Sequence, residues 1–82
     1  MAGIQTMSEV ELIDIFADNL RDLMQEVGIN KSQLARETLT SRSTITRLLD
    51  KKQMPSLPTL INICHVCGVT LDEMVPTYDL IY

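Results

Sequence analysis

Arg42, Ser43, Thr46 and Arg47, with Ser41 just ahead of them, are the residues of this sequence best placed to do chemistry. The chemistry they suit is hydrogen bonding to a partner rather than bond breaking. A guanidinium carries parallel N–H donors in a fixed fork that matches O6 and N7 of guanine, and Ser and Thr hydroxyls can bond to either base type or pack a methyl on thymine. At 100° per residue on a helix, Arg42, Ser43, Thr46, Arg47 and Asp50 fall within one arc of about 140°, while Ile45, Leu48 and Leu49 fall on the opposite arc. The polar face is therefore free to meet something. Its surroundings say what: the 22 residues from Lys31 to Lys52 hold six bases (Lys31, Arg36, Arg42, Arg47, Lys51, Lys52) and two acids, a local balance of +4. The rest of the chain holds one base, Arg21, and nine acids. The net charge of −4 would argue against a polyanion, but attraction to phosphate depends on where the positive charge sits. Taken alone, the basic stretch is equally a solvated charged face.

Other residues that could do chemistry are weaker. Cys64-His65-Val66-Cys67 has metal-like spacing, yet a closed zinc site wants four ligands and the sequence offers no fourth. The two cysteines share the apolar stripe of Leu60 and Ile63, so we expect core thiols, with His65 on the surface and no metal. A single histidine, no nucleophile–base pattern and no glycine-rich phosphate loop leave no enzyme and no cofactor to propose. The start, Met1-Ala2-Gly3-Ile4, lacks a basic, apolar leader, and no apolar run reaches membrane-spanning length. Reduced thiols fit the same picture, and the expected location is cytoplasmic.

The elements that must hold the polar face can be read from their ends. Eighty-two residues, 45% of them apolar but only three aromatic, suit one domain with an aliphatic, helical core. Ser8 and Glu11 form a capping-box pattern, after which Ile13, Phe16, Leu20, Leu23, Met24 and Val27 recur at helical spacing until Gly28. Asn30 caps a short helix of about 31–38, with Leu34 and Ala35 inward, and Ser41 caps another of about 42–50. After a loop over 51–56, Pro58 sits in the first turn of a fourth helix that ends at Gly68, and Thr70 caps a last short one over 71–75 before Pro76. The tail, 76–82, alternates roughly with period two. Folding over its own core and pairing with a twin are both open to it.

Four segments in order, Gly28-Ile-Asn-Lys-Ser-Gln-Leu-Ala-Arg-Glu, Ser41-Arg-Ser-Thr-Ile-Thr-Arg-Leu, Pro55-Ser-Leu-Pro-Thr-Leu and Cys67-Gly-Val-Thr-Leu-Asp-Glu-Met-Val, resemble the Cro/phage-repressor (XRE-like) helix-turn-helix family from about Phe16 to Val75. The resemblance implies an all-α, compact five-helix bundle of the lambda-repressor-like kind, here with an extended first helix and a short C-terminal tail. It further implies that the third helix enters the major groove and that dimers read two half-sites about one helical turn apart. Carried over residue by residue, Ser41, Arg42, Ser43, Thr46 and Arg47 take base-reading positions. Asn30 and Lys31 before and at the second helix, and Lys51 and Lys52 after the third, take phosphate-binding positions.

Three features depart from the family pattern. Leu39 stands in the turn where glycine is usual, which predicts a reshaped or strained turn. Met24 and Leu49 occupy the positions of a buried Arg–Glu pair, so an apolar contact is expected there, often at no stability cost. About fifteen residues precede the family's usual start.

The expected function is sequence-specific binding of double-stranded DNA by a small regulator, a repressor occupying its operator as a homodimer. The alternative is an antitoxin or restriction-system controller that binds DNA and also grips a protein partner. A purely structural interaction module would bind no DNA. The dimer surface is expected at the last helix and tail (Leu71, Met74, Val75, Tyr78, Leu80, Tyr82), or else at Val10, Leu12 and Ile15 of the N-terminal extension.

Overall fold

A computed structural model describes residues 7–75. All its regular elements are helices: α1 (Glu9–Val27), α2 (Lys31–Glu37), α3 (Arg42–Leu49), α4 (Leu57–Cys67) and α5 (Leu71–Met74), with no strand among the described residues. None of these helices is long and apolar enough to cross a membrane. The tail residues 76–82, with the expected roles of Tyr78, Leu80 and Tyr82, lie outside the described residues.

Each helix begins where a short polar side chain can take up an orphan amide. Ser8, Asn30, Ser41, Ser56 and Thr70 all accept from the backbone N–H three residues on. At Ser8, Asn30 and Thr70 the third residue (Glu11, Gln33, Glu73) reaches back to the cap's own amide. Four helices end by one device, a left-handed residue that lets the next amide reach back across the last turn. It is Gly28 after α1 (φ 78°) and Gly68 after α4 (φ 70°), but Leu39 after α2 (φ 57°) and Lys51 after α3 (φ 62°).

One core joins all five helices. Phe16, Leu20 and Met24 of α1 meet Leu34 and Ala35 of α2, Ile45, Leu48 and Leu49 of α3, Ile63, Cys64 and Cys67 of α4, and Met74 of α5. Met24 and Leu49 are both buried in this cluster, so the place of the ion pair is apolar as expected. Ala17 is also buried, which its small size hides from an apolar-stripe reading. Val27, expected inward, is 47% exposed because α1 ends there and the chain turns away at Gly28. Met74, expected on a dimer surface, has no exposed area at all: the last helix points it into the core. Buried Thr38 turns its hydroxyl to the Leu34 carbonyl at 2.7 Å, and Asn19 donates to the Met74 carbonyl at 2.6 Å, tying α1 to α5.

Burial pushes both core thiols above the usual thiol pKa, and the charge of an ionised Cys64 pushes Cys67 further. An unfolded thiol ionises first as pH rises, so the thiols' contribution to stability is complete below the ordinary thiol range and is lost as pH climbs through the folded values. Both thiols should therefore resist a disulfide-exchange reagent in the native protein at neutral pH and react at once in denaturant, and the melting midpoint should fall above pH 9, the ordinary value for either. Free-thiol rates in the native state would contradict this burial.

Candidate nucleic-acid interface

The interface is built on α3, whose eight residues bury Ile45, Leu48 and Leu49 and leave Arg42, Ser43 and Arg47 exposed and Thr46 half-buried. At its entry the Ser41 hydroxyl caps the Thr44 amide (3.1 Å) and lies 3.1 Å from the Ser43 hydroxyl and 2.8 Å from that of Thr44. Thr44 in turn accepts from Nη2 of Arg47 at 3.3 Å, and Nε of Arg47 donates to Gln53 at 2.8 Å. A continuous polar relay thus runs from Ser43 to Gln53 and holds Arg47 at both ends of its guanidinium. Arg42 has no such support: with Lys31, Arg36 and Lys52, its side chain makes no hydrogen bond or ion pair among the described residues.

Thr44 and Gln53 are the members that reasoning from sequence missed. The three-residue step from Thr44 to Arg47 was available as a signal. Gln53 was not, since its approach depends on how the chain leaves α3.

Around the entry of α2, the Asn30 side-chain oxygen accepts from the Gln33 amide at 2.8 Å while the Gln33 side chain accepts from the Asn30 amide at 2.9 Å. Beside this cap lies an open depression of about 570 Å³ whose polar rim is Arg21, Gln25, Asn30, Lys31 and Gln33, two cations and no carboxylate. Its Asn30 and Lys31 edge suits a phosphate, while Arg21 at the opposite edge is drawn toward α3 by the carbonyl of Leu49.

Lys51 and Lys52 part company at the exit of α3. Lys52 is exposed and unengaged. Lys51, expected at phosphate, instead sets its ammonium against the carboxylates of Asp14 (2.5 Å) and Asp18 (3.0 Å) on α1. Asp14, and next Asp18, hold its pKa above the ordinary lysine value. The left-handed backbone at Lys51 ends the helix beside the carboxylates of α1. Arg21, the single base outside the basic stretch, comes to the same end of α3: its Nη2 donates to the Leu49 carbonyl at 3.2 Å.

A short helix exposed on one polar, basic face and packed through the other onto a preceding helix is the arrangement of a helix-turn-helix domain. The chain belongs to the HTH_3 helix-turn-helix family, whose profile matches residues 20–74. Its fold is similar to that of an HTH_3 family transcriptional regulator from Vibrio cholerae, with a TM-score of 0.76 at 17% identity over 85% of this chain. This chain spans 39% of that protein's length. No curated protein sequence matches it.

The turn between α2 and α3 holds a strained residue: Leu39 is left-handed and 89% exposed, so its side chain returns almost no burial energy for its backbone conformation. Leu39→Gly should raise stability by up to about 1 kcal/mol, visible as a melting midpoint several degrees higher. An unchanged or lower midpoint would mean the strain is absent.

Proposed function

We propose that this protein is a sequence-specific, double-stranded DNA-binding regulator, a repressor that occupies its operator as a homodimer. The single observation that carries the reading is the free polar face of α3, bordered by unengaged cations. Arg42, Ser43, Thr46 and Arg47 read base edges in the major groove, with Ser41 at the entry setting the hydroxyl of Ser43. Asn30, Lys31 and Lys52 meet phosphate on either side and fix the register of the helix. Lys51, engaged by α1, leaves that set. Family membership supports the DNA face, and occupying an operator needs no more than that face.

The dimer follows from affinity arithmetic. One such domain reads only a few base pairs, too little free energy to find one site among a genome of competitors. A two-fold partner doubles the contacts and calls for a pseudo-palindromic site. With Met74 buried, the surface favoured for pairing is the apolar outer side of α4 and α5, where Leu57, Ile61 and Leu71 are exposed. Leu71 there joins two depressions of about 220 Å³ each, one of them walled by Leu12, Phe16, Met54, Pro55, Leu60 and Val75.

Selecting duplexes from a random pool and titrating the winner tests the DNA reading. Log affinity should fall against log salt with a slope of about −0.9 per neutralised phosphate. Arg42→Ala and Arg47→Ala should each cost about 1–3 kcal/mol on the selected site and relax its preference at particular positions. Lys31→Ala and Lys52→Ala should weaken selected and random DNA alike. Salt-independent binding, or full site preference in both arginine variants, would refute the reading.

The pairing surface has its own test. Leu71→Glu places an acid in the first turn of α5, where the helix tolerates it. Sedimentation should then find a monomer with native helix content and weaker site-selective binding; an undiminished dimer would exclude this surface.

A further inference from the structure

Three α1 side chains converge on the last turn of α3. Asp14, Asp18 and Arg21 fall within an arc of about 60° on α1, since residues three and four apart share a helix face. Arg21 donates to the carbonyl of Leu49, the final residue of α3, at 3.2 Å. Two residues further on, the ammonium of Lys51 sits between Asp14 at 2.5 Å and Asp18 at 3.0 Å. Lys51 keeps this place in a left-handed conformation that glycine would adopt without strain, and glycine would forgo the two carboxylates. The exit of α3 is thus held from one side by a donor on its last carbonyl and a cation drawn into an acidic fork. Next to these ties the Lys52 amide donates to the Arg47 carbonyl, and Nε of Arg47 donates to Gln53.

We propose that Arg21, with the Asp14–Asp18 fork, is a positioning residue for DNA reading: it fixes the tilt of α3 without touching DNA. The proposal rests on the DNA reading above and deepens it. α3 is short, and the apolar side chains that anchor it pack without directional bonds, so a small rotation about the buried stripe would move the guanidiniums relative to base edges. The Arg21 and Lys51 ties are directional and act at the exit, where they oppose such a rotation.

The test compares the full-length protein with Arg21→Met, which keeps an apolar stem but loses the donor, and Arg21→Lys, which keeps a charge and a donor. Titrations use the selected duplex and a scrambled one across a salt series. Arg21→Met should lose about tenfold on the selected duplex, with scrambled-duplex affinity and salt slope unchanged, while Arg21→Lys should restore the preference. Loss on both duplexes with a slope shallower by about 0.9 would mean that Arg21 itself meets phosphate, and would overturn the proposal. So would no loss on either. Asp14→Asn/Asp18→Asn provides a second route should Arg21→Met fold poorly. It should also lose site preference through weaker binding to the selected duplex. A matched rise on both duplexes with a steeper slope would show instead that the carboxylates compete with DNA for Lys51.

Amide exchange in the free protein reads the tie without DNA, so failure of the DNA reading stays distinguishable from failure of this proposal. The Lys51 and Lys52 amides, bonded to the Leu48 and Arg47 carbonyls, should exchange about tenfold faster in Arg21→Met while the Ile45 amide holds. Equal exchange in parent and variant would overturn the proposal.

Discussion

Everything the polar face of α3 can do depends on the burial of Ile45, Leu48 and Leu49 behind it. A helix of eight residues is not stable alone in water, because nucleation fixes several dihedrals before enough hydrogen bonds repay them. Each fully buried aliphatic side chain is worth about 1.5–3 kcal/mol, so three of them can hold such a helix in place where its propensity cannot. The residues of α3 that remain exposed are then not needed to hold the helix against the core. Ala35 and Leu34 on α2 and the long stripe of α1 exist in this arrangement to supply the apolar ground on which that short helix stands.

The same division organises charge. Acids line the outside of α1, bases gather from α2 to the loop after α3, and the two sets meet at one point, Lys51 between Asp14 and Asp18. A duplex drawn to the basic side is repelled by the acidic one, so the acids help to orient the approach while the net charge stays negative. Met24 and Leu49 fit this pattern: the core between α1 and α3 is apolar, and the polar ties between those helices lie at its edge.

What the sequence makes legible is local. Caps at Ser8, Asn30, Ser41 and Thr70 act within three residues, and the left-handed endings at Gly28 and Gly68 within five, so each could be read from its own neighbourhood. The two-sided character of α3 is likewise a property of one short stretch. The rest depends on where distant pieces arrive. Lys51 finds its carboxylates 37 and 33 positions away, and Asn19 finds the Met74 carbonyl 55 positions away. Nothing in the spacing of Val27 says that α1 will already have ended, and Met74 looks like any other apolar residue of a last helix until the core closes over it. Side chains whose role is set by tertiary arrival are where reading from sequence stops.

The relay along α3 has a consequence for which molecular surface it presents. Neither contact of the Ser41 hydroxyl with Ser43 or Thr44 fixes which oxygen carries the shared hydrogen. Run one way, Ser43 donates to Ser41 and Ser41 to Thr44, and Ser43 is left showing lone pairs to the outside. Run the other way, Thr44 donates to Ser41 and Ser41 to Ser43, and Ser43 turns a free O–H outward. In both arrangements Ser41 still accepts from the Thr44 amide and Thr44 still accepts from Arg47, so no bond is lost in passing between them. The outermost hydroxyl can therefore reverse its polarity by three rotations of light atoms, with the backbone and Arg47 undisturbed.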